Sequence, residues 1–183
     1  LYESYPHHNA VFVGKDKDGQ PRYACLRGIG TDFKGEATGS DKRFSFSIPA
    51  KESSQVLYLF ESAIDLLSFA TMAQEDRLPW RSQHLLSLAG VYQPKKNLAE
   101  RRLPLALSQY LRDHREIQTI YLCLDNDLAG RSAADAIRQQ LAGKYVVRDG
   151  FPCQGKDYND WLCLRKGLPI TRTVPKTERS IAR

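Results

Sequence analysis

The sequence contains no Cys-x-x-Cys pair, and its few cysteines follow no regular spacing. They are Cys25, Cys123, Cys153 and Cys163. This pattern argues against a zinc knuckle and against a disulfide framework, so we expect reduced thiols. His7 and His8 do not complete a metal site with Cys25, because a fourth ligand at a suitable spacing is lacking.

The sequence also lacks an uncharged apolar run of about 18 residues, which a membrane-spanning helix requires. Its N-terminus lacks the charged and then apolar segments that mark a signal peptide. We therefore expect a cytoplasmic protein that does not contact membranes. The chain begins with Leu1 rather than Met, which predicts a segment of a longer protein with further domains.

Most of the chain lacks an excess of positive charge, although the net charge at pH 7 is +6. Residues 165–183 contain six Lys or Arg and one acidic residue, whereas basic and acidic residues nearly balance over residues 1–164. This last stretch has little apolar periodicity, so we predict a basic tail or linker there. The total charge is accordingly weak evidence of a nucleic-acid partner.

The 183-residue chain, 42% hydrophobic, has material for one core and a small additional subdomain. Between residues 10 and 50, alternating segments separated by turn residues predict antiparallel strands, the last of them "RFSFSIP". From residue 55 onward, apolar runs alternate with helical patterns, which is typical of a parallel sheet with crossover helices. The predicted domains are a β-rich unit over 1–54, an α/β unit over 55–164 and the tail over 165–183.

Four segments of the α/β unit are predicted to form parallel strands, namely "QVLYLF", "HLLSLAG", "IQTIYLCL" and "KYVV". Helices are predicted after a Ser62 cap, from near Pro104, and up to a stop at Gly143. His114 is expected to be a residue of the helix C-terminus rather than a metal ligand. The predicted fold class is α/β, with a parallel four-stranded sheet, flanking helices and a preceding antiparallel unit.

Acidic residues follow three of the predicted strands. Glu61 ends the first, Asp125 and Asp127 end the third, and Asp157 and Asp160 follow the fourth. Ligands bind outside the carboxyl ends of the strands in open parallel sheets, so we expect these carboxylates to face one crevice. Asp125 and Asp127, two residues apart on an extended chain, point the same way and suit one Mg²⁺ ion, which favours phosphoryl transfer.

A simpler interpretation of the same acids stays open. Carboxylates often cap the helix that follows a strand, and an acid beside a turn is more often solvated than catalytic.

These motifs resemble the Toprim domain that bacterial primases, type IA and type II topoisomerases and some nucleases share. "YLFESAID" resembles the family's first motif, with Glu61 and then Asp65, and "LDNDLAGRSAA" is similar to the primase form of the second. "LSLAG" matches the middle strand, and "DGQPRYACLRG" resembles the segment that precedes the domain in bacterial primases. The whole arrangement resembles the primase-like Toprim proteins of plasmids and conjugative elements. The resemblance implies a Rossmann-like sheet.

The resemblance further implies roles for the acids. Glu61, Asp125 and Asp127 would be catalytic and hold Mg²⁺, or Mn²⁺, with Asp157 and Asp160 as secondary ligands. Asp65 would orient its neighbours or accept hydrogen bonds from backbone N–H groups. Candidate contacts to nucleic-acid phosphates are Arg22, Arg27, Lys34, Lys42, Arg43, Arg131 and Lys156. Arg131 and Lys156, which lie close to the acidic motifs, either guide phosphates or balance the carboxylates. Tyr23, Phe44 and Phe46 are either base-stacking or core residues.

Three functions are compatible with the sequence. The first is a metal-dependent nucleotidyltransferase of primase type, acting in DNA replication on single-stranded DNA and nucleoside triphosphates. The second is a Toprim nuclease, and the third is a catalytically silent DNA-binding module of a larger protein of a mobile element. The sequence has no room for the tyrosine domain of a topoisomerase, so strand passage is not expected. It also lacks the zinc ribbon of primases, so template binding by this segment alone is not expected.

Overall fold

The computed structural model describes residues 2–90 and 103–170, which form two β-sheets and four helices. The first sheet is antiparallel, with the strand order β1-β2-β3-β4. Its strands are β1 (Tyr2–Ser4), β2 (Asn9–Lys15), β3 (Pro21–Arg27) and β4 (Lys34–Glu36). A turn at Asp18 and Gly19 joins the central hairpin, and Gly19 has the positive φ of 77° that such a turn requires.

The second sheet contains the predicted parallel strands, in the order β5-β7-β6-β8-β9. Its strands are β5 (Ser47–Ile48), β6 (Val56–Phe60), β7 (His84–Ser87), β8 (Thr119–Cys123) and β9 (Val146–Asp149). The four parallel strands β6 to β9 confirm the prediction, and β5 adds a fifth, antiparallel strand at the edge beside β7.

The prediction for "RFSFSIP" was right about a short antiparallel strand at Ser47 and Ile48 but wrong about the residues before it and about the sheet that it joins. Residues Lys42–Phe44 form a short 3₁₀ turn, and Ser47 and Ile48 pair with β7 of the parallel sheet rather than with the N-terminal strands. Asp41 accepts a hydrogen bond from the backbone N–H of Arg43 and so stabilises the turn that interrupts the strand pattern.

Helices cover both faces of the parallel sheet, and they are α1 (Ala63–Glu75), α2 (Leu105–Asp113), α3 (Leu128–Leu141) and α4 (Tyr158–Arg165). On β6, Leu57 and Leu59 pack on one face, with α2 and α3, whereas Tyr58 and Phe60 pack on the other, with α1 and α4. The strand is therefore apolar at every position, as expected of a parallel strand with both faces covered.

The antiparallel sheet packs on the same core as α1 and α4. Phe12 of β2 and Tyr23 of β3 are buried in a cluster that includes Phe46 and Phe60, and the Phe12 and Phe46 rings meet edge to face at 5.6 Å. Tyr23 and Phe46 are thus core residues, which decides between the two interpretations of these aromatic side chains. Among residues 2–90 and 103–170, no helix is long and apolar enough to cross a membrane.

Candidate active site

Strands β6 and β8 deliver the first acids to the carboxyl edge of the parallel sheet. Phe60 pairs with Cys123 in the parallel register, so Glu61 and Asp125 follow directly beyond the last paired residues. Burial, together with the nearby Asp125 carboxylate, raises the pKa of Glu61 to about 7. Glu61 therefore belongs to the same electrostatic cluster as Asp125.

Asp127 has a separate role for each of its carboxylate oxygens. Its Oδ1 accepts a hydrogen bond of 2.9 Å from the backbone N–H of Gly130 and caps α3, and this bond holds the pKa of Asp127 below its ordinary value. Its Oδ2 lies 3.3 Å from the ammonium nitrogen of Lys156. Asp127 is therefore a helix cap that also contacts an ammonium group, and metal binding by this side chain stays a prediction.

Lys156 lies between the two aspartates. Its Nζ is 2.7 Å from Oδ2 of Asp125, a residue that is only 6% exposed. The contacts with the two aspartates raise the pKa of Lys156. The oxygens of Glu61, Asp125 and Asp127 are not all within 4.8 Å of one another. The Lys156 ammonium lies between the carboxylates of Asp125 and Asp127, at the position where the sequence predicted a Mg²⁺ ion.

Asn126 connects this motif to two other segments. Its backbone N–H donates to the carbonyl oxygen of Lys156 at 2.6 Å, and its side-chain oxygen accepts a hydrogen bond from Arg131. The Arg131 guanidinium also lies over the ring of Phe151, at 4.9 Å from its centroid. The loop before α4 and the first turn of α3 are thereby held against the two aspartates.

Gly130 allows α3 to start immediately beside Asp125. A Cβ atom at this position would lie 2.1 Å from the carbonyl oxygen of Asp125, closer than any real contact. The glycine of "LAGR" is therefore required for packing, and its backbone N–H is the donor that Asp127 uses.

The remaining acids mainly organise the backbone around the crevice. Asp65 is 6% exposed and accepts hydrogen bonds from the Ser62 hydroxyl and from the backbone N–H of Asn159. Asp157 caps α4 by accepting from the N–H of Asp160, at 2.7 Å. Asp160 in turn accepts from the N–H of Lys156, at 3.0 Å, and so fixes the loop that carries the lysine.

Burial raises the pKa of two of these carboxyl groups. Asp65 reaches about 6, and Asp157 is raised as well, with neighbouring carboxylates, including Asp125, adding to both shifts. Asp157 thus belongs to the same electrostatic cluster as Asp125.

The basic residues of the N-terminal unit that are candidates for phosphate contacts fall into two groups. Arg22, Lys42 and Arg43 form ion pairs with Asp16, Glu36 and Asp41, respectively. Arg27 and Lys34 stand directly opposite each other in the β3–β4 ladder, and neither is in an ion pair with a described residue. Like charges in opposite positions are unfavourable unless an anion binds them.

Sequence reasoning missed a second cluster, formed by His84, His114 and Glu116. Their ligand atoms all lie within 4.8 Å of one another, and this is the one such group of three in the part of the chain that the structure describes. His114 does follow the last residue of α2, as predicted, but it also faces Glu116. The short spacing of His114 and Glu116 was the available signal, and His84 comes from a distant strand.

The parallel sheet has one acid after its first strand and an Asp-x-Asp pair after its third. This arrangement defines an α/β domain of the Toprim type, with a primase-like order of strands. The sequence model described as Toprim-like matches residues 58–162, more than half of the chain, and the chain belongs to this family. A second model, described as "Protein of unknown function (DUF3991)", matches residues 1–53.

Comparison with curated proteins finds a relative in Zymomonas mobilis subsp. mobilis that is named "65 kDa protein". It is 29% identical over 180 residues, which cover 92% of this chain. The chain spans 28% of the length of that relative.

Two solved structures have a similar fold. The primase fragment of the bacteriophage T7 primase-helicase protein matches with a TM-score of 0.58 at 19% identity, covering 90% of this chain and 61% of the fragment. The DnaG catalytic core matches with a TM-score of 0.53 at 16% identity, covering 86% of this chain and 48% of that core. At these identities the likeness concerns the fold.

Proposed function

We propose that this chain is the Toprim module of a metal-dependent nucleotidyltransferase of primase type, which acts on single-stranded DNA with nucleoside triphosphates. The observation that carries the proposal is the convergence of Glu61, Asp125 and Asp127 on one edge of the sheet, around a positive charge. The two solved structures described above are named as a primase fragment and as the DnaG catalytic core, which agrees with this assignment.

The residues at this edge fit a divalent cation. Asp125 and Asp127 already share one cationic group, the ammonium of Lys156, and every proposed ligand atom is a carboxylate oxygen. Such hard oxygen ligands suit Mg²⁺, with Mn²⁺ as the alternative. Glu61, Asp125 and Asp127 would hold one or two such ions, which would neutralise the phosphate charges during nucleotidyl transfer. Asp157 and Asp160, whose oxygens also accept backbone hydrogen bonds, are the secondary ligands.

The side chains around this position have distinct tasks in the proposed reaction. Glu61, with its raised pKa, is suited to accept a proton from an attacking hydroxyl group, as an alternative to binding the ion directly. Lys156 is half exposed and becomes available for a phosphate once another cation neutralises the aspartates. Arg131, at the first turn of α3, is a second phosphate contact.

The antiparallel sheet supplies a nucleic-acid contact in this proposal. Arg27 and Lys34, side by side without ion pairs among the described residues, are the strongest candidates for phosphate binding. Arg22, Lys42 and Arg43 are weaker candidates, because each would exchange a carboxylate partner for a phosphate.

We further infer that the chain works within a longer protein. It spans 28% of the 65 kDa relative, which leaves room for other domains. The proposed organisation is a primase-like β unit over 1–54, the Toprim domain over 55–164 and a basic tail or linker over 165–183, of which residues 171–183 lie outside the described residues. The proposed setting is the cytoplasm, in DNA replication of a plasmid or other mobile element.

Primer synthesis tests the proposal. The chain is incubated with single-stranded DNA, labelled nucleoside triphosphates and Mg²⁺ or Mn²⁺, and short labelled oligomers are the expected product. Asp125→Asn is expected to lower the yield by at least about 100-fold, because it removes a charge at the position of phosphate chemistry. Asp135→Asn is the matched control on α3, since Asp135 is exposed and paired with Arg138.

The two alternative functions give different results in the same assay. Metal-dependent cutting of DNA or RNA without synthesis identifies a Toprim nuclease. DNA binding without turnover, unchanged by Asp125→Asn, identifies a catalytically silent binding module, and either outcome contradicts the primase assignment.

A further inference from the structure

The cluster of His84, His114 and Glu116 lies at the opposite end of the parallel sheet from the acidic crevice. His84 is the first residue of β7 and pairs with Leu57, whereas Ser87, at the other end of the strand, pairs with Phe60 beside Glu61. Three residues of extended chain separate the two ends by about 10 Å. The cluster is therefore distinct from the carboxylates assigned to nucleotidyl transfer.

The spacing of the three side chains suits tetrahedral coordination. The Glu116 Oε1 atom is 3.5 Å from Nε2 of His84 and 3.2 Å from Nδ1 of His114. Ligand atoms at 2.0 to 2.1 Å from a tetrahedral ion are about 3.3 Å apart. Both measured distances lie within a few tenths of an ångström of this value.

The buried imidazole of His84 provides an independent observation. The residue is 3% exposed, and its Nε2 atom has no hydrogen-bond partner in the described part of the chain, although it faces the Glu116 carboxylate. Buried polar atoms are nearly always paired, so an unpaired nitrogen that points at two other ligands indicates a missing partner.

The second nitrogen of His84 has one neighbour that can support a metal ligand. Its Nδ1 lies 3.0 Å from the hydroxyl of Tyr110, and it accepts a hydrogen bond of 3.4 Å from the backbone N–H of Ala50. With an ion on Nε2, the proton resides on Nδ1, and the Tyr110 oxygen accepts it because the hydroxyl hydrogen can rotate away. The longer hydrogen bond from the Ala50 N–H to Nδ1 is then lost.

We propose that His84, His114 and Glu116 bind one divalent transition-metal ion of the zinc class, with a fourth position open to water or another ligand. Two imidazoles and one carboxylate form a donor set that prefers Zn²⁺ over Mg²⁺. The ion joins the start of β7 to the segment between α2 and β8, two parts of the chain that lie far apart in sequence. It stabilises the sheet from the end opposite the acidic crevice.

Zinc binding by the full chain tests this inference. Metal-free protein in buffer with excess Mg²⁺, which occupies general carboxylate sites, is titrated with Zn²⁺ against a chromophoric chelator. One equivalent is expected to bind, and Co²⁺ in its place is expected to give the intense absorption of tetrahedral coordination. Zn²⁺ is also expected to raise the melting temperature of the protein.

Variants of the two partly exposed ligands separate binding from folding. His114→Asn and Glu116→Gln are each expected to weaken Zn²⁺ binding by at least about 100-fold, more than the loss of an outer-sphere partner. His84→Ala is a less informative variant, because loss of a buried side chain also affects folding. Circular dichroism of each variant checks that the protein is folded.

Two controls assign the binding to this cluster. The double variant His7→Gln/His8→Gln, which removes exposed histidines, and Asp125→Asn are both expected to retain the equivalent of Zn²⁺. Failure to bind Zn²⁺, or binding that survives in His114→Asn and Glu116→Gln, would overturn the inference. Loss of binding in Asp125→Asn would place the ion in the acidic crevice instead. Neither result depends on whether the chain makes primers.

Discussion

The ammonium nitrogen of Lys156 lies 2.7 Å from Oδ2 of Asp125, which is one of the most buried acidic residues in the described part of the chain. The same nitrogen lies 3.3 Å from Oδ2 of Asp127. The loop between β9 and α4 thus supplies a positive charge within the acidic crevice. Lys156 neutralises Asp125 and Asp127 as long as no other cation does so, and several measurements can test this relationship and its surroundings.

Lys156→Met is expected to destabilise the protein without Mg²⁺ by roughly 1 to 2 kcal/mol. Removing one partner of a buried ion pair costs about 3 to 5 kcal/mol, and the half-exposed lysine reduces this amount. Added Mg²⁺ is expected to raise the melting temperature of the variant more than that of the parent, because no ammonium competes for the aspartates. Thermal unfolding with and without Mg²⁺ measures both effects.

Lys144→Met serves as the control for this measurement, since Lys144 is an exposed residue just after α3. It is expected to behave as the parent does. An equal response of the Lys156→Met variant and the parent to Mg²⁺ would show that the lysine and the ion do not share a position.

Asp65→Asn is expected to change the pH dependence of stability. Burial raises the pKa of Asp65 to about 6 in the folded protein, from 3.8 ordinarily. The protonated form is thus favoured by folding, so this contribution to stability is complete below pH 4 and is lost as the pH rises to about 6. Between pH 4 and pH 6, the free energy of unfolding of the variant should therefore rise by about 2 kcal/mol relative to that of the parent.

Urea unfolding between pH 4 and pH 7 measures this difference, and Asp76→Asn, followed from about pH 2 to pH 7, is the control of opposite sign. Asp76 is exposed, and its hydrogen bonds with Arg165 lower its pKa. The stabilisation from this pair is present at neutral pH and is lost as the pH falls. The Asp76→Asn variant should therefore lose stability relative to the parent as the pH rises.

Gly130→Ala is expected to destabilise the protein by about 2 kcal/mol or more and to weaken Mg²⁺ binding. The added Cβ would lie 2.1 Å from the carbonyl oxygen of Asp125, so either α3 or the end of β8 must move. Urea unfolding and a Mg²⁺ titration test the two effects. Ser132→Ala, in the same helix, should change stability by less than about 0.5 kcal/mol.

The double variant Arg27→Gln/Lys34→Gln is expected to weaken binding to single-stranded DNA and to reduce its salt dependence. Each phosphate contact contributes about 0.7 to the slope of log K against log salt concentration, so two lost contacts lower the slope by about 1.4. Fluorescence anisotropy at several salt concentrations measures the slope. Arg22→Gln/Arg43→Gln, which removes two ion-paired arginines, should leave it nearly unchanged.

Local patterns in the sequence were sufficient for the four parallel strands and for three of the four described helices, whereas α4 was not predicted. Strand β6 is apolar at every position because both of its faces are covered, and Ser62 and Gly143 mark the helix ends through their own capping and backbone preferences. These signals depend on residues within one turn or one strand. They also placed Glu61, Asp125 and Asp127 at strand ends, since parallel strands have their carboxyl ends on one edge.

The tertiary structure decided what no short segment could. Whether Asp127 caps a helix or faces a cation depends on where Lys156 lies, and the loop before α4 places it there. Ser47 and Ile48 joined the parallel sheet because β7 offered a free edge. His84 lies beside His114 and Glu116 because β7 packs beside α2. Contacts between such distant segments follow from the packing of the folded core and not from local propensity.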